Sequence, residues 1–361
     1  LDGVGPVQAT QYRGRRWSAA DGYLRPARGR PNLRIESGAH ATRLRLDRGR
    51  ATGIEYRQRG AEHFASCRAE VLLATGTIAS PQILMLSGIG PAETLGRAGV
   101  PVRHELPGVG ANLRDHVGVY LSYEVDLPTY NNEQGLLRKL KHGANWALFG
   151  RGPGTTPGAH AVAFVRTAAD SEVPDVQILM TPVGYELRPD ELVILKESVV
   201  TFVPNVSHPR SRGRVSIRSP DPLVSPVIEC RLLDDPYDLE RLVAGCRKTR
   251  EICRTPPLKD HIVRELAPGL ACDGDDDWEA FLRSNAVTVF HPVGTCSLGS
   301  GPMAVVDADL RVRGLGGVRV VDASVMPTLI NGNINATVIA IAERASDLIL
   351  ADRRKCGAAA A

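Results

Sequence analysis

Residues 69–90 read AEVLLATGTIASPQILMLSGIG: an apolar run, Val71-Leu72-Leu73-Ala74, stops at Thr75 and Gly76, and a second apolar stretch is closed by Gly88. A continuous apolar run this short, without alternation, fits a strand covered on both faces. The small residue at its end lets a ligand approach the backbone closely. Ser80 and Pro81 offer the cap and first position of a short helix, and Gly88 offers its terminator. The segment therefore predicts a buried strand, a turn that tolerates a ligand, and a helix.

Upstream, Leu33–Glu36, Ala41–Leu46 and Gly53–Tyr56 read as short strands joined by turns. Downstream, from about 117 to 230, the pattern changes to alternation, with strands predicted at Val119–Val125, His160–Arg166, Val176–Thr181, Val199–Val206 and Arg214–Arg218. Antiparallel sheet is the natural arrangement of such runs. Between Leu127 and Pro157 one helix, Gln134–Phe149, sits among Gly, Pro, Asn and Lys and reads as a mobile cover. Helical spacing recurs at Asp235–Arg254 and Asp275–Arg283. The acids of Asp273–Asp277 suit a turn and a helix N-terminus better than calcium. Strand Val318–Val321 and a long helix, Ala336–Leu350, follow, the helix gathering Val338, Ile341, Ala342, Ala345, Leu348 and Ile349 on one face.

A chain of 361 residues suggests two domains, and 43% apolar with 23% charged residues describes a folded protein. The 44 basic and 40 acidic residues are intermixed, so the net charge of +4 creates no single-sign field for nucleic acid. No apolar run reaches the length of an integral membrane segment, and the N-terminus lacks a secretory pattern, so the expected location is cytoplasmic. Seven cysteines without C-x-x-C spacing give neither a metal site nor a redox motif. There is no G-x-G-x-x-G; the nearest run, Gly108–Leu113, has Leu113 in the third glycine's place. G-x-S-x-G and H-E-x-x-H are also missing from the sequence, which sets aside the usual hydrolase readings. The chain opens with Leu1 in what reads as mid-domain sequence, and an N-terminal truncation is expected.

Three segments carry residues suited to chemistry. His291 lies in FHPVGT (290–295), where Pro292 restrains the backbone and Gly294 permits a tight turn. Taken alone it reads more readily as a structural histidine than as a catalytic one. Asn331–Thr337 stands directly before the terminal helix, where free N–H groups favour an anion, although capping by Asn333 or Asn335 explains it equally well. Asp322-Ala323-Ser324 ends a strand, a position from which an acid often holds a ribose or ribityl hydroxyl.

Gly76–Gly90, PGVGANLRDH (107–116), HPVGTCSLG (from 291), VVDASVMP (from 320) and NGNINATVIAIAERASDLI (from 331) together resemble the glucose-methanol-choline family of FAD-dependent oxidoreductases, from Gly3 to Ile349. The resemblance implies an α/β fold with a discontinuous FAD-binding domain, incomplete here, and an antiparallel-sheet substrate domain. Residues 1–116 and 289–352 would belong to the first, 117–288 to the second, and 353–361 to a disordered tail. It implies His291 as catalytic histidine with Asn335, 44 positions later, as its partner. It also implies Ala41, Phe290, Asp322, Ala323, Ala336 and Thr337 along the FAD, with no metal. The implied reaction is oxidation of an alcohol to an aldehyde or ketone by hydride transfer to flavin, in the style of choline or aliphatic alcohol dehydrogenases. A hydroxynitrile lyase-like activity on the same scaffold, or a non-catalytic piece needing a partner chain, are the alternatives. Electron acceptor and oligomeric state are left open. Because relatives carry the phosphate-binding loop upstream of the position of Leu1, residues 1–361 alone are expected to bind FAD poorly or not at all.

Overall fold

Alternation along four of the five predicted strands is realised as one large antiparallel sheet in a computed structural model that describes residues 2–169, 171–187 and 191–359, whereas Arg214–Ser216 pairs with Val227–Glu229 in a separate two-stranded sheet. Val176–Thr181 pairs with Ala161–Val165 on one side and Val199–Val206 on the other, and Gly3–Pro6 extends the Ala161–Val165 edge. The far edge of Val199–Val206 takes Val117–Gly118 and Leu121–Val125, which in turn pair with Val287–Thr288 and Ile262–Ala267. These elements form a compact unit made of Leu1–Leu33, His116–Arg210 and Asp235–Val289. Helix Pro236–Cys253 packs on the sheet, with Leu242 and Cys246 fully buried. Gly245 allows the close approach: a Cβ there would lie 2.8 Å from Val176 Cγ1. On the same helix Arg250 is bidentate to Glu265, both side chains about 5% exposed or less, and its guanidinium stacks 4.5 Å from the buried Trp278 ring. Removing two charges from water is costly, and this geometry offsets it by giving the guanidinium a further acceptor at Gly269 O.

The second unit, Arg34–Asp115, Ser211–Asp234 and Phe290–Ala361, contains the sequence quoted at the outset. Val71–Leu73 pairs in parallel with Val318–Val320, Leu73 opposite Val320. Beside it lies a three-stranded antiparallel meander, Ala39–Asp47, Arg50–Gln58 and Ala61–Ser66. Helix Gly76–Leu86 is buried along most of its length, and Leu84, Met85, Leu73, Val320 and Ala345 share one core. At roughly 1.5–3 kcal/mol for each fully buried large aliphatic side chain, this cluster is the main stabilising element of the unit. The mixed α/β architecture is therefore the one implied by the sequence.

Several local expectations are corrected. Leu33–Glu36 forms no strand, whereas Ala61–Ser66 does, with every residue exposed. The helix near Ser80 begins at Gly76, so Pro81 lies inside it and Ser80 is not its cap. Segment 1–33 joins the large-sheet unit, because Gly3–Pro6 pairs with Ala161–Val165; segment 211–234 joins the other unit, where Val215 N donates to Gly110 O. The terminal helix runs Asn335–Ala359 through most of the expected tail, and residues 360 and 361 lie outside the described residues. Among the described residues no helix is long and apolar enough to cross a membrane.

Candidate active site

The two parallel strands end side by side, with Val321 N donating to Leu73 O at 2.7 Å. One residue later Asp322, 6% exposed, turns its carboxylate back across both chain segments. Oδ2 accepts from Gly76 N (2.9 Å) and Ser80 Oγ (2.6 Å), and Oδ1 accepts from Ser324 N (2.9 Å) and Ser324 Oγ (2.5 Å). A carboxylate has about four lone-pair sites, so these four donors fill it. A ribityl hydroxyl at this side chain, the role read from the sequence, has no acceptor left to use. What remains is backbone: among the described residues the N–H groups of Asp322 and Ala323 have no acceptor, although the residues are buried. Two adjacent unpartnered amides at the carboxyl end of a parallel pair suit the oxygens of an anionic ligand. Gly76 has φ +84°, a left-handed conformation that costs glycine little.

His291 is held from the same turn. Thr77 Oγ1 donates to Pro292 O at 2.7 Å. Pro81 has no N–H to give Thr77 O four residues back, and that carbonyl instead accepts Thr295 Oγ1 at 2.5 Å. The 107–116 loop closes on the other side: Arg114 and Val293 exchange both backbone hydrogen bonds, Gly110 N donates to Thr295 O, and His291 N donates to Asp115 Oδ1 at 2.8 Å. A Cβ on Gly294 would fall 2.2 Å from Asn112 O, so glycine is required there. Phe290, 78% exposed, adopts φ +62°. That conformation costs a non-glycine residue roughly 1–3 kcal/mol, a sum that a charge-assisted hydrogen bond of the Asp115 type is large enough to offset.

The His291 side chain is 7% exposed, and burial pushes its pKa below the ordinary 6.5, so the imidazole is neutral at pH 7. Its Nε2 lies 3.0 Å from Asn333 Nδ2. The amide nitrogen donates, so Nε2 accepts and the ring proton sits on Nδ1. The carboxamide at the histidine is thus that of Asn333, two residues before the expected Asn335. Asn335 opens the terminal helix instead, and both asparagines are solvent-exposed residues. Val338 N makes the first intrahelical bond, to Ile334 O, leaving the N–H groups of Asn335, Ala336 and Thr337 as the positive end of the helix.

The fold thus brings together Phe290, His291 and Asn333, with Ala336 and Thr337 one helical turn on, and links them through Gly76 and Thr77 to Asp322 and Ala323. Ala41 is the exception: it stands on strand Ala39–Asp47, packed against the hydrophobic core. Thr77 and Asp115 were not singled out from the sequence, because their partners are 215 and 176 positions away. The residues fit a flavin dinucleotide in two respects: free amides for phosphate or ribityl oxygens, and a helix N-terminus for a ring that becomes anionic on reduction.

Models of GMC oxidoreductase match residues 2–118 and 209–342. Oxygen-dependent choline dehydrogenase of Serratia proteamaculans (strain 568) is 42% identical over 353 residues, covering 96% of this chain and 63% of that protein. The chain therefore spans less than two thirds of that relative's length. Among solved structures, pyridoxine 4-oxidase from Mesorbium loti superposes with TM-score 0.84 at 30% identity, over 96% of this chain and 64% of the other. A variant of Aspergillus oryzae RIB40 formate oxidase, a protein whose FAD modification is described, gives TM-score 0.89 at 25% identity, over 98% and 66%. The quoted strand-turn-helix, the histidine loop bound to it and both family matches lead to one assignment: the chain belongs to the GMC oxidoreductase family.

Proposed function

We propose that the protein takes part in FAD-dependent oxidation of an alcohol to an aldehyde or ketone, with His291 as the base and Asn333 as its partner. The observation that carries this is the 3.0 Å pairing of a buried, neutral imidazole with a carboxamide at the mouth of the parallel strands. An alcohol oxygen placed between Nε2 and Nδ2 gives its proton to Nε2, and the released Asn333 N–H turns to the alkoxide that develops. Bound FAD would supply the hydride acceptor for the adjacent carbon. Asp322 and Ala323 amides, with the helix end at Ala336 and Thr337, are the groups proposed to hold it.

The similarity to a choline dehydrogenase favours choline or another small aliphatic alcohol as substrate. The finer part of the proposal is that firm FAD binding needs a phosphate-binding loop that residues 1–361 do not contain. The test is anaerobic addition of choline and a panel of primary alcohols to the flavin-loaded protein, with residues 1–361 joined to such a loop. Bleaching of the flavin by an alcohol is expected. Flavin that stays oxidised while a cyanohydrin is cleaved would establish the lyase reading instead.

Asn333 and Asn335 are separable. Asn333→Ala is expected to slow alcohol-driven reduction by about 10–100-fold, in the range of a lost alkoxide donor, while Asn335→Ala stays within about threefold. Stopped-flow reduction of the two variants checks this, and the reverse order would return the role to Asn335.

A further inference from the structure

We infer that Asp115 is a positioning residue for His291: its carboxylate, through the histidine's backbone N–H, sets where the imidazole stands. The inference deepens the proposed function and rests on His291 being the base. Asp115 ends the PGVGANLRDH loop, is 9% exposed, and accepts the His291 amide at 2.8 Å. The amide it holds follows directly on Phe290, whose backbone is left-handed. On the far side, Thr77 Oγ1 holds the Pro292 carbonyl at 2.7 Å. The peptide carrying the imidazole is therefore gripped by side chains from two other segments, an acid before it and a hydroxyl after it. The Arg114–Val293 pair of hydrogen bonds fixes the register of the loop against the histidine segment, which aims the carboxylate at this amide.

Such a grip matters because Nε2 must meet both Asn333 and the reacting hydroxyl. Displacement of a catalytic group by about 1 Å costs on the order of 10²-fold in rate. Loss of the carboxylate also leaves a buried N–H without its charged acceptor, so the peptide rotates toward another partner.

The experiment compares Asp115→Ala with Asp115→Asn, which keeps an acceptor oxygen, and Asp115→Glu, which moves the carboxylate one methylene away. In the flavin-loaded protein, Ala and Glu are expected to lower the rate of alcohol-driven reduction by about 10–100-fold with KM within about threefold, and Asn to stay within about threefold of the parent. A second readout needs no flavin: in residues 1–361 labelled with 15N-histidine, His291 amide exchange speeds up by about tenfold or more in Ala and is nearly unchanged in Asn. A purely structural acid would lower the melting temperature without altering the reduction rate of the molecules that remain folded. The inference is overturned if the folded Ala variant matches the parent in both exchange and reduction, or if Asn performs no better than Ala. Should Ala not fold, Asp115→Ser, too short to reach the amide, takes its place. If the parent flavin is never reduced by alcohols, the proposed function fails, while the exchange comparison still decides the role of Asp115.

Discussion

Replacement of His291 by Ala is expected to slow alcohol-driven flavin reduction by ~10³-fold, equivalent to about 4 kcal/mol of transition-state stabilisation. The size follows from the proposed role of His291 as the base. Asn333 Nδ2 can donate a hydrogen bond but cannot accept a proton, so no neighbouring carboxamide substitutes for the imidazole. Replacement of the exposed His40 serves as the control and should leave the rate within about threefold. The pH profile gives a second check. Burial lowers the His291 pKa from 6.5, so the neutral, proton-accepting form persists below that value, and the rate at pH 6.5 should stand above half of its plateau. The acid limb, rising with pH, belongs below 6.5 and should vanish in His291→Ala. The same shift acts on stability. The folded state binds fewer protons at this residue than the unfolded state, so its contribution falls as pH drops through 6.5 toward the folded value. An acid limb at or above 6.5, or one that survives the substitution, would remove His291 from the role of base.

The parts of this site that sequence reading reaches are those written in local pattern. Val176–Thr181 and Val199–Val206 occupy the bounds expected from their apolar content; Val71–Leu73 is a strand as its unbroken run indicates, but it is covered on one face only, with Leu73 buried and Leu72 47% exposed. Ala61–Ser66 escapes because AEHFAS carries no buried face: it is exposed throughout, held by backbone pairing to Arg50–Gln58 and by surface contacts such as Tyr56–His63 and Arg45–Phe64. The helix around Pro81 is misplaced for a related reason. A proline normally marks a first turn, but here the carbonyl it leaves unpaired is satisfied by Thr295, more than two hundred positions away. Asn333 and Asn335 share one N-x-N pattern, and spacing to His291 does not tell them apart. The hydrogen bond does. The nature of the cofactor rested on resemblance, since no phosphate-binding fingerprint occurs in these residues.

Asp322→Ala is expected to destabilise the unit that carries the site by about 3–5 kcal/mol, the range for a buried polar hub rather than a surface acid. The substitution removes the acceptor of four donors at once: the amides of Gly76 and Ser324 and the hydroxyls of Ser80 and Ser324. Ser80 and Ser324 are fully buried, so water does not readily replace the carboxylate. The two hydroxyls can rotate to other acceptors; the two amides are fixed by the backbone. Asp322→Asn tests this distinction. Its amide nitrogen must face either Gly76 N–H or Ser324 N–H, donor against donor, so the isosteric change should recover little of the loss. Both variants should therefore lower the thermal midpoint by roughly 6–20 °C, at about 2–4 °C per kcal/mol for a unit of this size. The loss should be steeper than for Asp307→Asn, where the acid accepts from Asp309 N and Arg311 N in a part-buried turn. Because the same carboxylate ties the start of helix Gly76–Leu86 to the end of strand Val318–Val320, its removal also frees the amides of Asp322 and Ala323 to move. Calorimetry and FAD titration on one set of variants separate the two consequences. A midpoint within about 2 °C of the parent for Asp322→Asn would show that the hub is not what holds the strand ends together.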